Sequence, residues 1–419
     1  MKISVPRGTC DVLPANSYKR AYIENAAREI SSLFGYKEIR TPVFEHTELF
    51  CRGIGSGSDI VRKEMYTFED KKGRSLTLRP EGTATVMRAI VENNLCQTGY
   101  AKLFYIGPFF RYERPQEGRY RQFHQFGLEA AGVDSPLLDA EIIHAACSFF
   151  GKLGLENLTV QLNSLGCPEC RPAYREALVS FFESKKDDLC GDCKERLAIN
   201  PLRVLDCKNA ACRAIAADAP VMLDYLCPEC SNHFDIVKKA LEVYGINYAV
   251  NRKIVRGLDY YTRTVFEVVS DQLGAQDAIC GGGRYNNLAE EIGGKSIPAV
   301  GFAAGIERTA ALMEKRGCSF GKEPAPEVFV VPFEESCVMK AAEVLGRLRN
   351  SGISSDLTYS KKNIKKIFRD IAEAGADYAY IIGPDEMAAG KISVKSMKDK
   401  AQAEINDSEA VEFILKGRC

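Results

Sequence analysis

The spacing of apolar residues divides the chain into stretches of different character. A helical period over 18–34 gives way to short alternating runs at 37–43, 75–79 and 102–110, which predict strands. This mixture over 1–165 predicts an α+β fold built on an antiparallel sheet. Between Cys167 and Cys230 the pattern turns to helical runs punctuated by paired cysteines, and strand patterns return at 248–255, 265–269 and 299–303. The 167–230 stretch therefore reads as a helical insertion. A helix over 305–316 is closed by Gly317, and the Pro, Gly and charge of GKEPAPE, residues 321–327, mark a linker. Beyond it strand and helix alternate: strand 328–331, helix 337–350, strand 354–357, helix 363–374, then strands 378–382 and 391–394. Such alternation predicts a small α/β domain with a largely parallel or mixed sheet.

A length of 419 residues suits two or three domains, and 46% hydrophobic with 27% charged residues is a globular composition. Lys+Arg and Asp+Glu both number 56, so the whole chain is no electrostatic glove for a polyanion, which must be met by local patches. The N-terminus lacks the apolar core of a signal peptide, and no run reaches the ~18 apolar residues of a membrane span. A cytoplasmic protein without membrane contact is expected, and its sixteen cysteines are then reduced thiols or metal ligands rather than a disulfide scaffold.

The richest segment, Phe104 to Gly132, reads as a long hairpin. Alternation puts Phe109, Arg111 and Glu113 on one face of its first strand, and Arg121, Phe123, Gln125, Gly127 and Glu129 on one face of its return strand. If the faces coincide they form one polar surface. An arginine for a phosphate, a ring for a base, and Gln and Glu for an amine or ring N–H suit a nucleotide beside a small cationic substrate. His124 alternates with Phe123 and Gln125 and should face away.

Four cysteine pairs occupy the insertion: Cys167 and Cys170, Cys190 and Cys193, Cys207 and Cys212, Cys227 and Cys230. Two adjacent loop thiolates supply half a tetrahedral zinc site, so eight ligands could hold two structural zinc ions, or one with a remainder; unligated thiols are the alternative. Farther on, Lys361, Lys362, Lys365, Lys366 and Arg369 fall on one side of a helix, a pattern that suits backbone phosphates or simply solvent.

The F-R-x-E strand of this hairpin, Phe110 to Glu113, with its return F-x-Q-x-G-x-E, Phe123 to Glu129, resembles motif 2 of the class II aminoacyl-tRNA synthetases. GYKEIRTPVFEHTELF, Gly35 to Phe50, resembles their dimer-forming motif 1, and AVGFAAGIERTAALM, Ala299 to Met313, their motif 3. RGLDYYTRTVFE, Arg256 to Glu267, looks like the signature of the histidyl family within that class. PRGTCDVLP, LRPEGTA and GGGRYNNL, which begin at Pro6, Leu78 and Gly281, are also similar to that family. One departure is Asn286, where the family usually has Asp, which puts the local support of that turn in question.

The resemblance implies a class II antiparallel-sheet catalytic domain over 1–325, carrying the 167–230 insertion, and an α/β anticodon-binding domain over 326–419. It implies a homodimer that joins L-histidine to tRNA(His) through a histidyl-adenylate, using ATP with Mg and releasing AMP and pyrophosphate. Residue by residue, it implies that Arg111 holds the α-phosphate and the substrate carboxylate, that Phe123 stacks on adenine, and that Arg308 reaches the γ-phosphate, with Glu113 and Arg121 in the same ATP site. Glu81, Gly82, Thr83 and Gln125 would surround the α-ammonium, and Glu129, Tyr260 and Tyr261 the imidazole. Arg256 would stabilise charge on the α-phosphate. The rival reading is the non-catalytic, synthetase-like regulatory subunit of ATP phosphoribosyltransferase, which lacks the C-terminal domain and the arginine-bearing signature. A prolyl or threonyl enzyme would need a different pocket.

Overall fold

A computed structural model describes residues 3–55, 58–116, 118–205, 207–254, 258–270, 278–359 and 363–417. The chain divides into two units, Met1–Gly321 and Lys322–Cys419. Among the described residues no helix is long and apolar enough to cross a membrane.

The first unit is organised by an eight-stranded sheet in an α+β arrangement. From one edge its strands are Lys37–Glu38, Ala101–Phe110, Gln122–Ala131, Ala299–Gly305, Ala278–Arg284, Thr262–Val269, Thr159–Ser164 and Tyr248–Val250. Only the two edge strands pair in parallel. Alternation gives the sheet two different faces. Phe104, Phe126, Leu128, Phe302 and Ala304 point to a core closed by the helices Pro14–Leu33 and Pro136–Lys152. Pro14 starts the first helix where a missing N–H costs nothing, and Ser135 caps the second by accepting from the Leu137 amide at 3.3 Å. Phe126 lies 4.9 Å from Phe149 and 5.5 Å from Phe302, ring to ring. Truncating a ring so enclosed costs roughly 3–5 kcal/mol. The opposite face, with Tyr105, Phe109, Phe123, Gln125 and Glu129, is left for chemistry.

Two expected strands are shorter than their patterns. The 37–43 run leaves the sheet after Glu38, and Phe44–His46 joins a separate three-stranded sheet with Ser75–Leu78 and Tyr66–Glu69. Pro42 has no N–H for a ladder, and the Arg79 guanidinium takes the Thr41 carbonyl at 3.0 Å. The 248–255 run stops at Val250 because Asn251 turns the chain, its side chain accepting from the Lys253 amide at 3.1 Å; Val255 lies outside the described residues. The 167–230 insertion is helical as expected, with Arg171–Glu183, Gly191–Ile199 and Ala210–Ala216. Pro228–Val243 then returns the chain to the sheet, where its His233 meets Asp139 at 2.7 Å.

The second unit is a mixed sheet in the order Ser355–Leu357, Val328–Pro332, Tyr378–Ile382, Lys391–Ser396, Gln402–Asn406. The first three strands are parallel and the last two antiparallel. Val338–Asn350 and the C-terminal Ala410–Gly417 cover one face through Val344, Leu348 and Ile414. The final strand and the helices Pro384–Ala389 and Ala410–Gly417 were not evident in the hydrophobic pattern. Ile364–Glu373 is capped by Asn363 and exposes Lys365, Lys366 and Arg369; Lys361 and Lys362 lie outside the described residues.

Candidate active site

The hairpin register aligns the two faces that alternation had kept separate. Phe109 is opposite Phe123, Gly107 opposite Gln125, and Tyr105 opposite Gly127, so the odd-numbered side chains of both strands share one surface. The neighbouring strand places Gly301 beside Glu129, where any Cβ would collide with the carboxylate. Gly82 and Gly127 are likewise occupied by the ring of Tyr105. A cavity of about 510 Å³ opens on this surface.

One group of lining residues is strongly charged. Arg111, Arg119 and Arg308 all line the cavity, together with Glu113 and Glu267. Arg111 Nε donates to the Pro80 carbonyl at 2.9 Å and its guanidinium stands 5.5 Å from the Phe123 ring centre. Arg119 is held by Glu113 at 2.9 Å, and Arg308 donates to the Ala278 carbonyl at 2.6 Å. Burial, and then the nearby Arg119, push the Arg308 guanidinium below its ordinary value. Arg121 does not line the cavity. Its strand begins only at Gln122, and its guanidinium lies 3.8 Å from the Tyr112 ring centre with the side-chain stem against Gly8. The loop residue Arg119 stands at the cavity instead.

The other group forms a buried polar pocket. Glu81 spends both oxygens on the start of helix Thr83–Glu92, accepting from the Thr83 amide at 2.7 Å and the Ala84 amide at 2.8 Å. Burial still pushes its carboxyl up. Thr83 Oγ1 donates to Glu129 at 2.7 Å and the Tyr285 hydroxyl donates to its other oxygen. Glu129 has no exposed surface, and burial pushes its carboxyl up to about 8. Tyr260 and Tyr261, ring centres 4.7 Å apart, close the pocket against Tyr285. Gln125 lines the cavity with a buried Oε1 that has no hydrogen-bond partner among the described residues. Arg256 falls outside the described residues.

The cavity thus brings together Glu81, Gly82, Thr83, Arg111, Glu113, Phe123, Gln125, Tyr260, Tyr261 and Arg308; Glu129 does not line it but lies behind it, accepting from the lining Thr83. Residues 8–309 match the family model described as histidyl-tRNA synthetase, and residues 327–417 the one described as anticodon binding domain. The histidine–tRNA ligase of Halothermothrix orenii is 51% identical over 99% of this chain and all of its own length. That of Caldanaerobacter subterraneus is 47% identical, with 97% of each chain covered. The chain belongs to the histidyl-tRNA synthetase family. The crystal structure of the Staphylococcus aureus apo histidyl-tRNA synthetase superposes with a TM-score of 0.84 at 38% identity, over 98% of this chain and 99% of that one.

Asn286, the departure from the family pattern, takes part in the hydrogen bonds of its turn. Asn286 Oδ1 accepts from Arg284 at 3.2 Å and its backbone N–H donates to Thr262 Oγ1 at 3.3 Å, so a neutral amide oxygen meets Arg284 where a carboxylate usually stands. Arg284, fully buried, is neutralised by Asp139. Sequence reasoning missed Arg119, Tyr105, Tyr285, Lys208 and Glu267 as neighbours of the site. Glu267 carried a signal, a lone charge in the apolar run VFEVV; Arg119 and Lys208 lie in irregular segments where periodicity says nothing. The eight insertion cysteines gather into two foursomes, Cys167, Cys170, Cys227, Cys230 and Cys190, Cys193, Cys207, Cys212.

Proposed function

We infer that the chain is an ATP-dependent ligase joining L-histidine to tRNA(His), and that the cavity described above is where histidine is activated. The supporting observation is one cavity lined both by three arginines and by buried carboxyl and tyrosine groups. A histidine carboxylate oxygen attacks the α-phosphorus of ATP, the bond to the β-phosphate oxygen breaks, and pyrophosphate leaves. The step moves negative charge from the carboxylate onto the leaving pyrophosphate and needs no protein nucleophile, so the work is positioning and cationic stabilisation.

Arg111 bridges the α-phosphate and the carboxylate, and Phe123 stacks on adenine. Arg308 takes the γ-phosphate, and Arg119 joins it, held by Glu113. Arg121 braces the loop from outside. Glu113 and Glu267 offer hard oxygens beside these arginines, a donor set that fits Mg²⁺; bound with ATP it offsets triphosphate charge. The α-ammonium is met by Glu81, Thr83 and the open Gln125 Oε1. Glu129 receives an imidazole N–H, with Tyr260 and Tyr261 around the ring. By its place in the sequence signature, Arg256 stabilises the charge developing on the α-phosphate.

The adenylate is then attacked by the 3′-hydroxyl of the terminal tRNA ribose, which displaces AMP. A pocket that hydrogen-bonds the ring strands its own polar groups when another amino acid enters, which can discriminate by about 10⁴–10⁵. The C-terminal unit holds the tRNA, with Lys365, Lys366 and Arg369 meeting phosphates. Two chains pair through the motif 1 region, where Val43, Phe44 and Phe68 expose apolar side chains that a partner would cover.

ATP–pyrophosphate exchange, run with each of the twenty amino acids, tests this reading without tRNA. Exchange with histidine alone is expected. Absence of exchange with every amino acid, from folded protein, would refute it and turn attention to a regulatory role.

A further inference from the structure

The two cysteine foursomes are nested along the chain. The first joins the C-P-E-C turn at 167–170 to the second C-P-E-C turn at 227–230, across nearly the whole insertion; the second lies within that loop. In each foursome one ligand atom per residue lies within 4.8 Å of all the others. Cys167 Sγ is 3.6 Å from Cys170 Sγ and 3.9 Å from Cys227 Sγ, and Cys190 Sγ is 3.8 Å from Cys207 Sγ.

These separations choose between chemistries. A disulfide needs about 2.05 Å. Four thiolates at about 2.3 Å from one ion at the centre of a tetrahedron stand about 3.8 Å apart along every edge. The spacing is therefore that of four ligands around a single ion, and too tight for a multi-iron cluster in the middle.

The surroundings also suit thiolates. The Cys227 amide donates to Cys170 Sγ at 3.1 Å, the Cys190 amide to Cys212 Sγ at 3.2 Å, and the Asn209 amide to Cys207 Sγ at 3.4 Å. Backbone donors of this kind orient and stabilise metal-bound sulfur. Four thiolates around a divalent cation leave two negative charges. Arg171 and Arg263 act electrostatically on the first foursome, and Arg196 and Arg203 share a cleft with Cys190 and Cys207.

We propose that the insertion holds two structural zinc ions, one in Cys167, Cys170, Cys227 and Cys230 that ties its two ends together, and one in Cys190, Cys193, Cys207 and Cys212 that closes its inner loop. On binding, each site's four thiols release four protons and no electrons move. The insertion's own core is built largely from these cysteines with Tyr174, Leu178, Phe182 and Val204, and a segment this small needs such staples. The first ion reaches the histidine pocket through the backbone. Arg171, directly after Cys170, donates to the Tyr261 carbonyl, and the Arg263 amide donates to the Gly166 carbonyl at 2.8 Å. The second holds Cys207, whose neighbour Lys208 lines the cavity.

Elemental analysis of protein purified without chelators and exchanged into metal-free buffer should give two zinc per chain. A mercurial thiol reagent should release both into a zinc-indicator dye. Cys170→Ser and Cys193→Ser should each lower the content to one. Should either variant fold poorly, wild-type protein loaded with Co²⁺ gives an independent reading: the absorption of two tetrahedral thiolate-bound ions. Zinc below about 0.2 per chain, with the eight thiols freely reactive or oxidised to disulfides, would overturn the proposal, and so would iron as the bound metal. Metal content is read without substrates, so its outcome is separate from that of pyrophosphate exchange.

Discussion

Replacing Glu129 by glutamine keeps the shape of the buried pocket and removes its titration. In the folded chain burial moves this carboxyl from its ordinary 4.5 to about 8. A raised folded-state value means the native protein holds the proton more tightly than the unfolded chain. The stabilisation is complete below about pH 4.5 and is lost as the pH climbs towards 8, at about 1.4 kcal/mol per pH unit. Between pH 5.5 and 8 this amounts to about 3 kcal/mol, an upper figure, because the Thr83 and Tyr285 donors adjust to the charge. Glu129→Gln lacks that slope. Urea unfolding followed by far-ultraviolet circular dichroism, since the chain has no tryptophan, should show the variant gaining on wild type as the pH rises. All other titrations are common to both proteins and cancel in the difference. Parallel stability curves from pH 5.5 to 8 would refute the buried-carboxyl argument. The kinetic counterpart at neutral pH is a rise of about 2–13-fold in the KM for histidine, from weakening of a neutral hydrogen bond of about 0.5–1.5 kcal/mol, with KM for ATP unchanged.

Arg119→Ala should raise the KM for ATP at least about tenfold by removing a charged phosphate contact, whereas Arg121→Ala should change it less than about threefold; equal effects would contradict the cavity geometry. Arg256→Ala should slow single-turnover adenylate formation far more than it weakens ATP or histidine binding, and an unchanged rate would remove its proposed role. Reversing the charge of Lys365, Lys366 and Arg369 together should weaken tRNA binding and flatten its salt dependence while pyrophosphate exchange continues, which filter binding across a salt series would read.

The hairpin was legible because a period of two survives wherever both strands are regular. Phe109, Phe123, Gln125 and Glu129 land on one face for that reason alone. The same rule does not reach Arg121, because the return strand begins only at Gln122 and before it tertiary contacts with Tyr112 and Gly8, not alternation, direct the side chain. Arg119 sits in the intervening loop, where no period exists to count. The cysteines show a different limit. Spacing identifies each pair as half a tetrahedron, but which halves meet is decided by a helical excursion of some sixty residues that brings the two C-P-E-C turns together. The edge of the sheet shows a third, since the hydrophobic runs at 37–43 and 248–255 continue past the points where Pro42 and Asn251 take the backbone out of register.

The pocket's selectivity and its cost have one origin. Glu81 and Glu129 are two carboxyls out of water in one site, and neither is paired with a cation at salt-bridge distance among the described residues. Glu81 is sustained by helix amides and Glu129 by hydroxyls, and room for Glu129 exists only because position 301 has no Cβ. Such a site is destabilising when empty, since burial without full hydrogen bonding costs roughly 1–3 kcal/mol for each polar group. A ligand that brings an ammonium and a ring N–H removes that cost, and an amino acid that lacks the ring donor leaves it in place. On the proposed function, the free energy that separates histidine from its competitors is therefore stored in the apo fold, in Glu129 and in the open oxygen of Gln125, and the proposed zinc staples would hold Tyr261, through Arg171, where that difference can be felt.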